Sequence, residues 1–162
     1  MTQRISSFSP IVSETSKILI LGSVPGVKSL EKQQYYAHPQ NQFWKIMFTL
    51  LDEDFNSDYK EKIATLEANG IALWDVIDTC ERQGSLDTRI RNEEHNDIVK
   101  LLHDFPNVKA IFCNGQKAHK NLLAILGKNF EIPVFVLPST SPLHTIGFEK
   151  KLTDWKQINS FL

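Results

Sequence analysis

The sequence predicts an α/β protein: a three-layer α/β/α sandwich around a central, four-stranded, mostly parallel sheet. Three observations carry that expectation. Four short runs, "KILILGS", "IALWDV", "VKAIFCNG" and "PVFVLPS", are continuously apolar, as strands covered on both faces are. Stretches with helical spacing lie between successive runs, and alternating strand and helix implies parallel pairing through right-handed crossovers. The 162 residues suit one domain, 1–162, and no repeat, low-complexity tract or linker divides it.

The elements follow in order. Lys17–Ser23 is the first predicted strand, closed by Gly22-Ser23. "NQFWKIMFTLL" is a helix behind Asn41, whose side chain suits an N-cap. "SDYKEKIATLEANG" is a second helix, opened by Ser57 or Asp58 and stopped at Gly70. Ile71–Val76 is the second strand. Asp78–His95 reads as a long polar connection carrying Arg82, Arg89 and Arg91. "NEEHNDIVKLLHDFP" sets Ile98, Leu101, Leu102 and Phe105 on one helical face and ends before Pro106. Val108–Gly115 is the third strand, and "GQKAHKNLLAILG" a helix with its C-cap signal at Gly127. Pro133–Ser139 is the last strand. "FEKKLTDWKQINSFL" repeats Phe148, Leu152, Trp155 and Ile158 at helical spacing.

Composition bounds the function. With 41% hydrophobic and 23% charged residues the chain is typical of soluble globular proteins. A formal net charge of −1 gives no global basic field, so a polyanion partner would have to meet a local patch. Cys80 and Cys113 lack CxxC spacing and suggest neither a disulfide framework nor zinc; buried free thiols in a reducing compartment are expected. The N-terminus is too polar for a signal peptide and no apolar run approaches bilayer length, so a cytoplasmic protein without a membrane partner is expected.

In sheets of this kind ligands bind beyond the carboxyl ends of the strands. Those ends are Gly22-Ser23, Asp75, Asn114-Gly115 and Ser139-Thr140-Ser141, all polar or small. From the first hang "GSVPG" and "QYYAHPQNQFW". The turn lets Ser23 and Gly26 bring backbone N–H groups close to a ligand, but it is neither a P-loop nor GxGxxG. Tyr35, Tyr36, Phe43 and Trp44 supply flat rings on which a nucleobase can stack for ~1–3 kcal/mol. Trp44 and Phe48, at helical spacing, read as core; Phe43 fits either role. Asn41 can cap the helix, hold a water or read a base edge. His38 before Pro39 reads as an exposed loop histidine. "PSTSPLHT" offers Ser139, Thr140 and Ser141 to phosphates and puts Leu143 at its tip, where an apolar side chain can wedge between bases or simply stand exposed. Asp75 is the nearest carboxylate, with a helix cap or a buried hydrogen-bond hub as its plainer role.

Taken together, "LILGSVPG", "YYAHPQNQFW", "GIALWDVIDTCERQGSLD", "IFCNGQKA" and "STSPLHT" resemble the uracil-DNA glycosylase superfamily, and within it the hypoxanthine-DNA (deoxyinosine) glycosylase branch, from about Ile18 to His144. The resemblance implies a monofunctional DNA repair hydrolase without metal or cofactor. It would act on double- or single-stranded DNA containing deaminated bases, hypoxanthine foremost; a monomer is expected. The branch's catalytic Asn lands on Asn41. Uracil-specific relatives carry a water-activating Asp or Asn where this chain has Val24, and a His where it has Ser139, with His144 five residues on. Leu143 matches their inserted leucine. The flipped base is expected to stack on Phe43 with Tyr36 closing the far side, and Asn114 or the Gly-Pro turn to donate to its acceptors. Ser139, Thr140, Ser141 and the amides of Ser23 and Gly26 would hold phosphates, helped by Lys28, Lys117 or His144.

Overall fold

The protein, described here by a computed structural model, is defined over residues 3–127 and 130–162. In chain order it comprises β1 (Gln3–Ser6), β2 (Ile18–Gly22), α1 (Val27–Lys32), α2 (Phe43–Leu50), α3 (Tyr59–Ala68), β3 (Ile71–Asp75), β4 (Ile77–Arg82), β5 (Arg91–His95), α4 (Ile98–Asp104), β6 (Ala110–Asn114), α5 (Gln116–Leu126), β7 (Val134–Leu137) and α6 (Phe148–Trp155). Short 3-10 turns cover Asp87–Arg89 and Lys156–Phe161.

The central sheet has the order β3-β2-β6-β7 and every pairing in it is parallel. Register is set by β2: Leu21 opposes Trp74 on one side and Cys113 on the other. Alternate residues of β2 feed opposite layers. Ile18 and Ile20 pack with Phe43, Ile46 and Met47 of α2, Leu66 of α3 and Trp155 of α6. Leu19 and Leu21 pack with Ile98 and Leu101 of α4 and Ala118 and Leu122 of α5. The continuous apolar run of β2, buried at all five positions, is the sequence trace of this double coverage. Edge strand β7 departs from it: Val136 is exposed.

The polar stretch Asp78–His95, expected to be a connection, instead forms β4 and β5 of a second, three-stranded antiparallel sheet of order β1-β4-β5. Its pattern is broken because the register shifts twice between β4 and β5, and every β5 residue except Glu93 is exposed. The helix expected from Asn92 therefore begins only at Ile98, where the Asp97 carboxylate accepts from Lys100 N at 3.0 Å. Among the described residues no helix is long and apolar enough to cross a membrane.

Candidate active site

A cleft of about 550 Å³ opens where the central strands end. All four predicted strand ends reach it: Gly22-Ser23 after β2, Asp75 of β3, Asn114 of β6 and Ser139-Thr140-Ser141 after β7. Cys80 and Cys113 are buried free thiols away from it. Among the described residues no group of three or more His, Cys, Asp or Glu stands together as a metal site.

The floor is polar and tight. Asp75 is 4% exposed, and its Oδ2, like the hydroxyl of Tyr36, is buried without a hydrogen-bond partner. Among the described residues these two are the only such side-chain atoms. Native interiors satisfy nearly all buried polar groups, so two orphans at one cleft floor point to a ligand. Gly22 is required between them: a Cβ there would lie 2.6 Å from Asp75 Oδ1 and 3.0 Å from the Tyr36 hydroxyl. Burial, then the Asp87 carboxylate, pushes the Asp75 carboxyl up to about 7, against the pull of Arg82. Burial and then Asp75 hold the Tyr36 phenol above its ordinary value, with Asn114 acting the other way. Tyr36 reaches this position with φ 55, a left-handed conformation that a bulky residue seldom adopts.

Asn41 stands at the rim. Its Oδ1 accepts from Phe43 N at 3.0 Å, bracing the start of α2, and its own N–H donates to His38 O at 2.9 Å. The capping role expected of Asn41 is thus met one residue early, since Gln42 occupies the N-cap position itself. The carboxamide also lines the cleft, and its Nδ2 makes no hydrogen bond within the described residues. His38 is exposed on the same rim, its Nδ1 accepting from Gln40 N at 3.0 Å.

Three expectations are corrected. Phe43 is fully buried, does not line the cleft, and lies under Tyr36 with ring centroids 4.1 Å apart and planes 23° from parallel. No base fits between those rings. The cause is the helical phase of α2, which turns Phe43 to the core against Trp155 at 5.9 Å. Thr140 is 1% exposed; its N–H donates to Asn114 Oδ1 and its Oγ1 accepts from Asn114 Nδ2, both at 3.0 Å. It is a buried brace and cannot grip a phosphate. Tyr35, offered as a stacking ring, is also core: its hydroxyl donates to Ser9 O and its carbonyl accepts from Trp44 Nε1. Asn114 keeps one N–H of its amide for the cleft.

The last loop is braced from within. Ser139 Oγ accepts from Ser141 N, and Ser141 Oγ accepts from Leu143 N. The buried Lys151 of α6 donates to Ser141 O at 3.1 Å, and burial lowers its ammonium below the ordinary lysine value. Leu143 emerges at the tip, 59% exposed, with His144 exposed beside it.

The opposite wall comes from the polar connection Asp78–His95, open from sequence to a role in ordering the cleft, through residues not singled out there. Ser85, Leu86, Asp87 and Thr88, from the link between β4 and β5, line the cleft. Ser23 Oγ donates to Asp87 Oδ1 at 2.7 Å, and Ser85 Oγ accepts from Val27 N at 3.0 Å. The buried Arg82 donates to Pro25 O at 2.6 Å and Gly84 O at 2.7 Å. Gly26 sits against this wall, since a Cβ there would meet Ser85 Oγ at 3.4 Å. The "GSLD" turn composition marked a loop, but did not single out these four residues as cleft-lining. Val24 is buried in the core layer beneath. Lys28 lines the rim, its Nζ 3.6 Å from Glu31, and Lys117 is paired with Glu93 at 2.8 Å outside the cleft.

Comparison with known proteins adds the following. Residues 9–162 match the family model described as the uracil DNA glycosylase superfamily. The chain is 35% identical over 153 residues to a protein of Methanosarcina barkeri (strain Fusaro / DSM 804) named hypoxanthine DNA glycosylase, covering 93% of this chain and 94% of that one. A protein of the same name from Methanosarcina acetivorans is 36% identical over 152 residues, covering 93% and 95%. The solution NMR structure of a Methanosarcina acetivorans protein, described as a candidate uracil DNA glycosylase, superposes with a TM-score of 0.82 at 34% identity over 96% of each chain.

Proposed function

The chain belongs to the uracil DNA glycosylase superfamily, and from that premise we propose that it hydrolyses the N-glycosidic bond of deaminated bases in DNA, hypoxanthine foremost. The observation that carries the substrate class is the floor. Deamination replaces an exocyclic amine by a carbonyl, and the floor presents two O–H groups without protein partners. The Tyr36 phenol stays protonated, and Asp75, pushed up to about 7, is half protonated near neutral pH. In that state both can donate to a carbonyl oxygen. The relatives named hypoxanthine DNA glycosylase support the same class.

The target nucleotide leaves the stack and enters the cleft edge-first toward the floor. Leu143, exposed at the loop tip, fills the gap behind it. Asn41 Nδ2 and Oδ1 orient a water at the rim toward the anomeric carbon. The water oxygen forms a bond to C1′, the C1′–N9 bond breaks, and its electron pair departs with the purine. The floor donors and the remaining Asn114 N–H stabilise the negative charge developing on the base. The proton lost by the water matches the one the purine gains, leaving an abasic site and free hypoxanthine. Asn41 is a weak base, so its contribution is placement. Among the described residues Lys28, at the rim, is the one lysine lining the cleft, and the enzyme is read as monofunctional. Ser139, Ser141, His144 and the Ser23 and Gly26 amides flank the cleft for phosphate contact. The enzyme acts as a monomer, in the cytoplasm, on double- or single-stranded DNA.

Incubating DNA bearing hypoxanthine, uracil or xanthine and cleaving abasic sites with alkali tests this. Hypoxanthine release is expected, reduced on the order of 10²-fold or more in Asn41→Ala with binding retained. Asn41→Ser, which keeps an acceptor for Phe43 N, separates lost chemistry from a lost cap. An unaltered single-turnover rate in both variants overturns the role of Asn41. Release of uracil alone favours the second reading, a uracil-specific enzyme, which the description of the structural neighbour supports.

A further inference from the structure

A second hollow of about 780 Å³ lies across the ridge formed by the last loop. Ser139 and His144 line both hollows, and so do Asp87 and Thr88 from the opposite wall. The two therefore adjoin at both ends of the short ridge segment that carries Leu143, at Ser139 and His144. Nothing in the reaction uses the second one.

Its charges are unequal in availability. Among the lining acids, Asp154 is bonded to Lys150 at 3.0 Å and Asp87 accepts from Ser23. Lys117 is held by Glu93. Arg91 and Lys120 are exposed and, among the described residues, have no carboxylate within 4.0 Å; Arg91 donates only to the carbonyls of Thr88 and Ile90. The same hollow is lined by accessible apolar side chains, Val136 38% and Ile146 42% exposed. Two cations without carboxylate partners beside an apolar strip suit a chain of alternating phosphates and sugars. This local patch supplies what the chain's net charge of −1 does not.

We propose that this groove holds the sugar–phosphate backbone flanking the extruded nucleotide, with Arg91 and Lys120 on phosphates and Val136 and Ile146 against sugars. The proposal rests on the glycosylase reading above. It makes the ridge a divider: the target nucleotide descends on one side of Leu143 and the continuing strand runs down the other.

The test uses the intact protein and inosine-containing oligonucleotides, with binding measured across a salt series and single turnover at saturating DNA. Lys120→Ala, at an exposed position, is expected to weaken binding several-fold and flatten the slope of log K against log salt by about 0.7–0.9, with the saturated single-turnover rate unchanged. Arg91→Gln should act likewise, and the double variant should flatten the slope by about twice as much. Oligonucleotides trimmed on one side of the lesion should then bind wild type and Lys120→Ala equally, while those trimmed on the other side preserve the difference. Unchanged affinity and slope in both single variants and the double variant overturn the groove. An affinity loss that persists with either arm removed also overturns it, since the cation would then act as a diffuse field. Wild type that binds but releases no base refutes the enzymatic reading, and the salt and trimming series then still decide the groove.

Discussion

Replacing Asp75 by Asn keeps the side chain's shape and removes its charge. The Asp75 carboxyl lies at about 7 in the folded protein against 3.8 in an open chain, because burial, then Asp87, disfavours the anion more than Arg82 favours it. The sign follows directly. The folded state holds the proton more tightly, so the stability this contributes is fully present below about pH 3.8 and is lost as pH rises through about 7. Linkage over that interval gives a cost of ionisation of about 2 kcal/mol near pH 5 and about 4 kcal/mol near pH 8. Asp75→Asn escapes this cost. Its stability relative to wild type should therefore rise by about 2–3 kcal/mol between those two conditions, or roughly 5–10 °C in Tm for a domain of this size. Any fixed penalty from the new amide at the floor cancels in the comparison. Urea or thermal unfolding of both proteins at the two pH values measures it. A gap that stays constant, or narrows as pH rises, refutes the assignment of a proton-holding carboxyl at the cleft floor.

Two further outcomes follow from the same site. Gly22→Ala places a methyl 2.6 Å from Asp75 Oδ1 and 3.0 Å from the Tyr36 hydroxyl; overpacking there should cost about 1–3 kcal/mol in unfolding experiments and displace both floor groups, lowering the single-turnover rate. Leu143→Ala, at a 59% exposed position, should leave Tm within a degree or two but weaken binding to an inosine-containing duplex more than to a single strand, where no stack needs to be opened; equal loss on both would refute the wedge role.

Legibility divides along the two sheets. The central one was readable because parallel strands are covered on both faces and so announce themselves as unbroken apolar runs, as in Ile18–Gly22 and Ala110–Asn114. Their ends were readable as site positions because polar residues there had to serve either turns or a ligand. The second sheet was not readable. Arg91–His95 carries Arg, Asn, two Glu and His, a composition that gives no strand signal, and its pairing is made by a partner strand with a broken register. Phe43 failed for a different reason. Loop and helix aromatics look alike in sequence, and only the phase of α2 decided that Phe43 faces Trp155 while Tyr36, turned by its positive φ, covers it. Thr140 was likewise ambiguous, since a hydroxyl in a loop serves a phosphate or a neighbour's carboxamide equally well until Asn114 is seen opposite it.

The missed sheet matters most for the width of the cleft. One wall is assembled from two pieces, the turn after β2 of the central sheet and the link between β4 and β5. Three contacts couple them: Ser23 Oγ to Asp87, Val27 N to Ser85 Oγ, and the Arg82 guanidinium reaching both Pro25 O and Gly84 O. Arg82 is 2% exposed, so these are bonds to a buried cation and stronger than neutral ones. Asp75 and Tyr36 meet beneath that brace, while Asn41 is fixed separately by its bond to Phe43 N at the start of α2. The floor proposed to read the base and the amide proposed to place the water thus belong to different elements of the core, and the link between β4 and β5 of the second sheet lines the cleft beside them. On the proposed reading, a cleft walled in this way would take the target base only once its nucleotide has left the duplex, so selectivity for poorly paired bases would rest on the architecture as well as on the hydrogen bonds at the floor.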